Sequence, residues 1–191
     1  MAWVIDQAHS AVEFSAKHMM ISTVRGGFEK FDITANIDEQ NIGRSTIEAT
    51  VDVASINTRD ARRDGHLRSA DFFDAETYPT LTFRSTKIEQ KGHDKYSITG
   101  DLTIKDTTHA VTFSVESEGR GKDPWGNEHW GFSADTTINR KDWGLNWNVA
   151  LETGGVLVGD QIKIHLELEL VPAQEEASVA AEAQAEAEVT A

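Results

Sequence analysis

The sequence predicts an all-β protein: eight antiparallel strands, closed into a barrel or stacked as a two-sheet sandwich, with a short helical insertion near residues 58–74. Three observations carry this. Eight segments alternate apolar and polar residues with a period of two, which is the pattern of a strand with one buried face. Several of the links between them are short and polar, as hairpins require. One stretch, Thr58 to Ser69, breaks the rhythm with a run of helix formers.

The first run places Val12, Phe14, Ala16, His18 and Met20 on one face, with Glu13, Ser15 and Lys17 on the other. The second carries Phe31, Ile33, Ala35 and Ile37, and the third Ile47, Ala49, Val51 and Val53. The helical insertion follows. Ser69 is placed to cap a further turn through Phe72 and Phe73, and Pro79 stops it. Leu81 and Phe83 open the fourth run. The fifth is Tyr96, Ile98, Gly100, Leu102 and Ile104, and the sixth Val111, Phe113 and Val115. The seventh is Trp130, Phe132, Ala134, Thr136 and Ile138. The eighth spans Ile162 to Leu170, with Lys163, His165, Glu167 and Glu169 outward. Lys91 to Asp94 and Lys105 to Thr108 read as tight turns, and Arg120 to Asn127 as a longer loop.

Period alone does not separate a barrel from a sandwich. Eight amphipathic strands can close on themselves and remove their edges. Such a barrel is either filled by side chains or holds one small ligand. Small residues recur on the inward faces at Ala16, Ala35, Ala49, Gly100 and Ala134, beside Phe14, Phe31, Phe113, Trp130 and Phe132. Either they leave space, or large residues from opposite strands fill it.

Composition bounds the function. With 191 residues, 39% hydrophobic and 26% charged, the chain is one globular domain, neither disordered nor a membrane bundle. It has no cysteine, which removes disulfides, thiol nucleophiles and cysteine-ligated metals together. A net charge of −14 repels phosphate backbones, so neither nucleic acid nor an anionic membrane surface is expected as a partner. No apolar run is long enough to span a bilayer. The opening Met1 to Asp6 has neither a basic n-region nor an apolar h-region, and the location expected is cytoplasmic. After Pro172 the chain turns to Ala and Glu. Residues 1–172 are therefore expected to fold, and 173–191 to form a disordered acidic tail. Without the tail's five glutamates the charge is still −9.

No segment supplies an obvious reaction centre. Asp6, His9 and Ser10 are the residue types of a hydrolase triad, but three near neighbours on one extended stretch do not converge as that relay requires; they read as caps and turn bonds. No metal spacing occurs among the histidines. His93, His109 and His165 read as solvated, whereas His18 has the parity of the inward face. It is either a hydrogen-bonded buried histidine or a contact to a ligand's polar end. Arg140 either forms a turn network with Asp142, with Trp143 closing the barrel end, or recognises a phosphate or carboxylate. Arg59, Arg62, Arg63 and Arg68, offset by Asp60 and Asp64, form either a solvated helix face or an attraction for an anionic head group.

An ordered set of short motifs runs from Trp3 to Val171. It comprises Trp3-x-x-Asp6-x-x-His9-Ser10-x-Val12-x-Phe14, Val24-Arg25-Gly26-Gly27-Phe28 and Ser55-Ile56-Asn57-Thr58. It continues with Asp64-x-His66-Leu67-Arg68-Ser69-Ala70-Asp71-Phe72-Phe73, Tyr78-Pro79, Gly100-Asp101-Leu102-Thr103-Ile104 and Asn139-Arg140-Lys141-Asp142-Trp143-Gly144. The set resembles the bacterial YceI-like family of polyisoprenoid-binding, lipocalin-like proteins, many of them periplasmic. The resemblance implies an eight-stranded antiparallel lipocalin-like barrel with a helical insertion, a homodimer, and an apolar channel. That channel would hold, without covalent attachment, a polyisoprenoid or quinone-like lipid, to be sequestered or carried. No other cofactor, no metal and no catalytic set are expected. The lipid is expected against Phe14, Ala16, His18, Met20, Phe31, Ile33, Ala35, Ala49, Val51, Phe83, Ile98, Gly100, Leu102, Phe113, Trp130, Phe132, Ala134, Ile164 and Leu166, with His18, Arg62 and Arg140 as head-group candidates. The alternatives are a stress-associated structural or interaction protein with a filled barrel and an enzyme acting on isoprenoid lipids through His18 or the Arg140–Asp142 pair.

Overall fold

Alternation along each strand gives the sheet one apolar face, and twist and stagger of the strands close it around that face. The computed structural model describes residues 1–173. Its elements are β1 (Ala2–Ile5), β2 (Ala11–His18), β3 (Ser22–Phe28), β4 (Phe31–Asn36), β5 (Thr46–Asp52), β6 (Ile56–Asn57), α1 (Ala61–Arg68), β7 (Thr80–Gln90), β8 (Lys95–Ile104), β9 (Thr107–Lys122), β10 (Glu128–Asn139) and β11 (Val158–Pro172). The clearest case of alternation is β4, where Phe31, Ile33 and Ala35 are buried and Asp32, Thr34 and Asn36 exposed.

Eight strands form a closed antiparallel barrel in the order β1–β4–β5–β7–β8–β9–β10–β11, sealed by β1 pairing with β11. β2 and β3 lengthen two of its staves. Along one edge of β11, Leu170–Pro172 pair with β1 while Val158–Glu167 pair with β2. A 3₁₀ turn at Gln7–His9 separates these two segments, and Asp6 caps it by accepting from the Ala8 amide at 3.0 Å. β3 and β4 are likewise one stave, broken at residues 29–30, with β6 added beside β3. Closure removes the edges of these eight strands, while the β2–β3–β6 extension of the sheet ends at β6.

The eight expected runs correspond to β2, β4, β5 and β7 to β11. Three strands were not expected. β1 and β6 are too short to show a period, and Gly26-Gly27 interrupts the alternation in β3. β9 runs on to Lys122, so the loop expected over Arg120 to Asn127 shrinks to residues 123–127. The Arg120 guanidinium holds this extension by lying 3.6 Å from the centre of the Trp130 ring. α1 begins after Asp60, whose carboxylate accepts from the Arg63 amide at 3.0 Å. Ser69 closes α1, its amide and hydroxyl both donating to His66 O at 3.1 and 2.6 Å, and also starts the expected further turn, its Oγ accepting from the Asp71 amide at 3.4 Å and its carbonyl from the Phe72 amide at 3.0 Å. α1 is the one α-helix among the described residues, and none there is long and apolar enough to cross a membrane. The tail expectation from residue 174 onward lies outside the described residues.

Two apolar clusters cap the barrel. The lower holds Trp3, Ile5, Phe31, Ile33, Trp130 and Leu170. Trp3 is fully buried, edge-on to Trp130 at 5.5 Å, and Arg120, paired with Glu39 at 2.9 Å, covers the pair. The upper cluster gathers Phe28, Val53, Ile56, Leu102 and Trp143 beneath α1, with the Trp143 indole donating to Leu102 O at 3.0 Å. Trp143 is buried in that end without lining the cavity.

Candidate functional site

Between the two clusters the inward faces enclose a cavity of about 950 Å³. Its wall takes Phe14, Ala16 and His18 from β2, Ile33 and Ala35 from β4, and Ala49 and Val51 from β5. Phe83, Ile98, Leu102 and Phe113 continue it across β7, β8 and β9; Trp130, Phe132, Ala134, Ile164 and Leu166 complete it on β10 and β11. An apolar cavity of roughly 150 Å³ admits a benzene-sized guest. On that scale this one holds about six such rings, or roughly 35 carbons.

Three residues expected in the wall are placed elsewhere. Met20 shares the parity of β2, but the strand ends at His18 and Met20 sits in the following turn, 64% exposed. Phe31 is buried in the lower cluster and does not reach the cavity surface. Gly100 contributes no surface because the Phe83 ring lies over it. A Cβ there would collide with that ring and come within 2.5 Å of Arg84 O. Conversely, alternation could not find the roof: Leu67, Phe72 and Phe73 on and after α1, and Leu145, Trp147 and Leu157 in the segment before β11. None of these lies on a strand face, so no period marks them.

The roof is held by polar contacts. The buried Asp64 carboxylate accepts from the Thr58 amide at 2.9 Å and its hydroxyl at 2.5 Å. The Arg63 Nε and Nη2 donate to Thr58 Oγ1 and O at 2.7 and 2.8 Å. Arg68 donates through Nε to Ala54 O at 2.9 Å and through Nη2 to Ile56 O at 3.0 Å. His66 stands edge-on between Phe72 and Trp147, with its Nε2 2.8 Å from Asp71 Oδ2. The mouth opens where α1, the β2–β3 hairpin and residues 144–157 meet, rimmed by Lys17, His18, Asp60 and Arg62.

Arg140 is 2% exposed and binds the roof rather than Asp142. Its Nε donates to Gly159 O at 3.0 Å, Nη1 to Leu145 O and to Trp147 O at 3.0 Å, and Nη2 to Val158 O at 3.4 Å. Its charged neighbour is Asp160, at 3.6 Å. Burial pushes the guanidinium pKa down, and Asp160 partly opposes this. With four carbonyls already bound, Arg140 is a clamp on residues 145–159.

The outer wall carries a separate chain of polar groups. Asp6 Oδ2 lies 3.0 Å from His9 Nδ1, and Glu169 Oε1 lies 2.6 Å from His129 Nδ1. Asp6, His9 and Glu169 offer ligand atoms within 4.8 Å of one another. Hydrogen bonds to Asp6 and Glu169 raise the pKa of His9 and His129. Ser10 Oγ faces away from His9 and accepts from the Glu169 amide at 2.9 Å, so these residues cap and fasten the turn. His165 is not simply solvated: Asp135 and Glu167 hold its two nitrogens at 2.7 and 2.8 Å. His109 Nε2 lies 2.9 Å from Asp142 O, while His93 is exposed.

A family model described as a YceI-like domain matches residues 3–170. The chain belongs to the YceI-like family. The UPF0312 protein SA2479 of Staphylococcus aureus (strain N315) is 39% identical over 168 residues, covering 87% of this chain and 95% of that one. The crystal structure of Burkholderia cenocepacia BcnA superposes with a TM-score of 0.74 at 30% identity, covering 86% and 98% of the two chains. A polyisoprenoid binding domain from Saccharophagus degradans shares the fold at 12% identity, with a TM-score of 0.66 and 90% of this chain covered. In this YceI-like barrel several of the residues that carry the resemblance are fasteners of the roof: Thr58, Asp64, Arg68 and Arg140 each bind backbone or one another.

Proposed function

We propose that the protein binds a polyisoprenoid or similar long-chain lipid, such as a quinone tail, in the barrel cavity and sequesters or carries it. The observation that carries this is the apolar cavity of about 950 Å³, closed below by Trp3 and Trp130 and open above at a polar rim. That the Saccharophagus degradans protein of the same fold is a polyisoprenoid binding domain supports the ligand class. The cavity between the two clusters speaks against a filled barrel. The chemistry on the wall, without a nucleophile–base pair facing the interior among the described residues, favours a binding module over an enzyme.

Burial supplies the affinity. At about 0.8 kcal/mol per methylene, roughly 35 carbons gross close to 30 kcal/mol. That exceeds the practical ceiling of about 18–21 kcal/mol, so ordering of the chain and imperfect fit offset a large part. Affinity then follows tail length, with the head group at the rim beside His18 and Arg62 adding little. Arg140 serves indirectly, by holding the roof. The same reading carries a homodimer, which light scattering measures. Native mass spectrometry of gently purified protein is expected to show a bound lipid that is recovered chemically unchanged. Protein that is ligand-free from several hosts overturns the reading, and a chemically altered lipid moves it to the enzyme alternative.

A further inference from the structure

The β2–β3 hairpin turns through two residues that do not suit the turn. Met19 and Met20 have φ of 50° and 61°, and Ile21 N closes the turn on His18 O at 3.2 Å. A turn with both central residues left-handed is ordinarily occupied by Asn and Gly, because a side chain crowds its own backbone there. Here two methionines and an isoleucine occupy it, 41%, 64% and 81% exposed in a chain of net charge −14. Strain and solvent exposure of apolar side chains coincide at one tip. Such coincidence points to a use outside the fold.

The tip is built into the cavity mouth. Lys17 and His18, immediately before it, line the rim, and the Met19 amide donates at 2.8 Å to the carbonyl of Leu157, which lines the roof. The facing loop adds Val149, 46% exposed. At Gly155, with φ of 89°, a Cβ would stand 2.6 Å from Met20 Sδ, so the glycine keeps room for that side chain.

We infer that Met19, Met20 and Ile21, with Val149, insert into the surface of a zwitterionic phospholipid bilayer and set the cavity mouth against it, so that lipid passes between bilayer and barrel without crossing water. This rests on the lipid-binding reading. A second copy of the chain is the weaker occupant. A stable interface needs roughly 800 Å² of matched surface per partner, and four partly exposed side chains offer on the order of half of that at most. A bilayer needs no matched shape, because acyl chains close around whatever enters. Lys17 and Arg62, exposed residues that line the cavity together with Asp60, offer cations to lipid phosphates beside the tip. The charge of −14 disfavours an anionic surface, which leaves the zwitterionic one.

The test is flotation of the full chain with phosphatidylcholine vesicles. Wild type is expected to float. Met20→Asp with Ile21→Asp is expected to lose at least tenfold in vesicle partitioning while retaining lipid already in the cavity. The double change Met19→Asn, Met20→Gly fits the turn, so it is expected to melt higher than wild type and still lose the vesicles. This keeps the test independent of misfolding. Tip variants that float like wild type overturn the inference, as does a wild type that stays down, or a tip variant that turns a dimer into a monomer in light scattering. If wild type floats yet never carries lipid, docking stands and the lipid-binding reading fails. If it carries lipid but does not float, only the docking inference fails.

Discussion

Replacing Ala134 by Trp asks directly whether the cavity is ligand space. Ala134 is 4% exposed, sits on β10 between Val115 and Leu166, and faces the interior. The added ring needs roughly the 150 Å³ of a benzene-sized guest, about a sixth of the cavity's 950 Å³. It should displace about six ligand carbons, worth roughly 5 kcal/mol gross. If relief from ordering those carbons returns about half, the net loss is near 2.5 kcal/mol, a ten- to hundredfold weaker complex. In an open cavity the fold tolerates the ring, and Tm should stay within about 4 °C of wild type. In a filled core the same ring would overpack at about 1–3 kcal/mol or more, with a correspondingly larger fall in Tm. Native mass spectrometry and thermal denaturation of apoprotein read the two effects separately. Ala16→Trp and Ala35→Trp should behave alike from β2 and β4, while Thr137→Trp, on the exposed face of β10, should leave lipid content unchanged. A strongly destabilised Ala134→Trp together with a lipid-free wild type would refute the reasoning.

Arg140→Leu removes a buried guanidinium from four carbonyls and leaves Asp160 with Lys141 alone, at 3.0 Å; a loss of about 3–5 kcal/mol is expected, most of it from the unpaired carbonyls. Circular dichroism should record a Tm lower by roughly 10 °C, and Arg140→Lys should not restore it because an ammonium lacks the fork. A near-native Tm for Arg140→Leu would show that the clamp is unimportant. Stability should also fall with rising pH. Hydrogen bonds to Glu169, Asp135 and Asp6 raise the pKa of His129, His165 and His9 above the ordinary 6.5. Their contribution is complete below 6.5 and is lost as pH climbs through the raised values. On the acid side Asp123, held at about 2 chiefly by the Asn127 side chain, and Asp6, lowered chiefly by His9, contribute above their ordinary 3.8 and lose it as pH falls. Tm should therefore be flat between about pH 5 and 6.5 and decline above that; a rise above about pH 6.5 contradicts the assignment, and His129→Gln should shallow the decline.

The inward set was legible in the sequence because the direction of a Cβ on a strand is a local property. Parity alone assigned Phe14, Ala35, Ala134 and Leu166 to the wall, and each lines the cavity. The same rule misplaced Met20, since nothing local announces a left-handed turn made by two methionines where Asn and Gly are usual. It also passed over β3, whose Gly26-Gly27 erases the alternation. Whether the interior was filled depended on how far apart opposite strands stand, which is set by closing β1 onto β11 and cannot be read from any one strand. The roof and the partners of Arg140 were decided by tertiary structure for the same reason. Four carbonyls between residues 145 and 159 converge on one guanidinium only when the chain after β10 folds back over the barrel's end, and an arginine's nearest acidic neighbour in sequence, Asp142, was no guide to the Asp160 it meets in space.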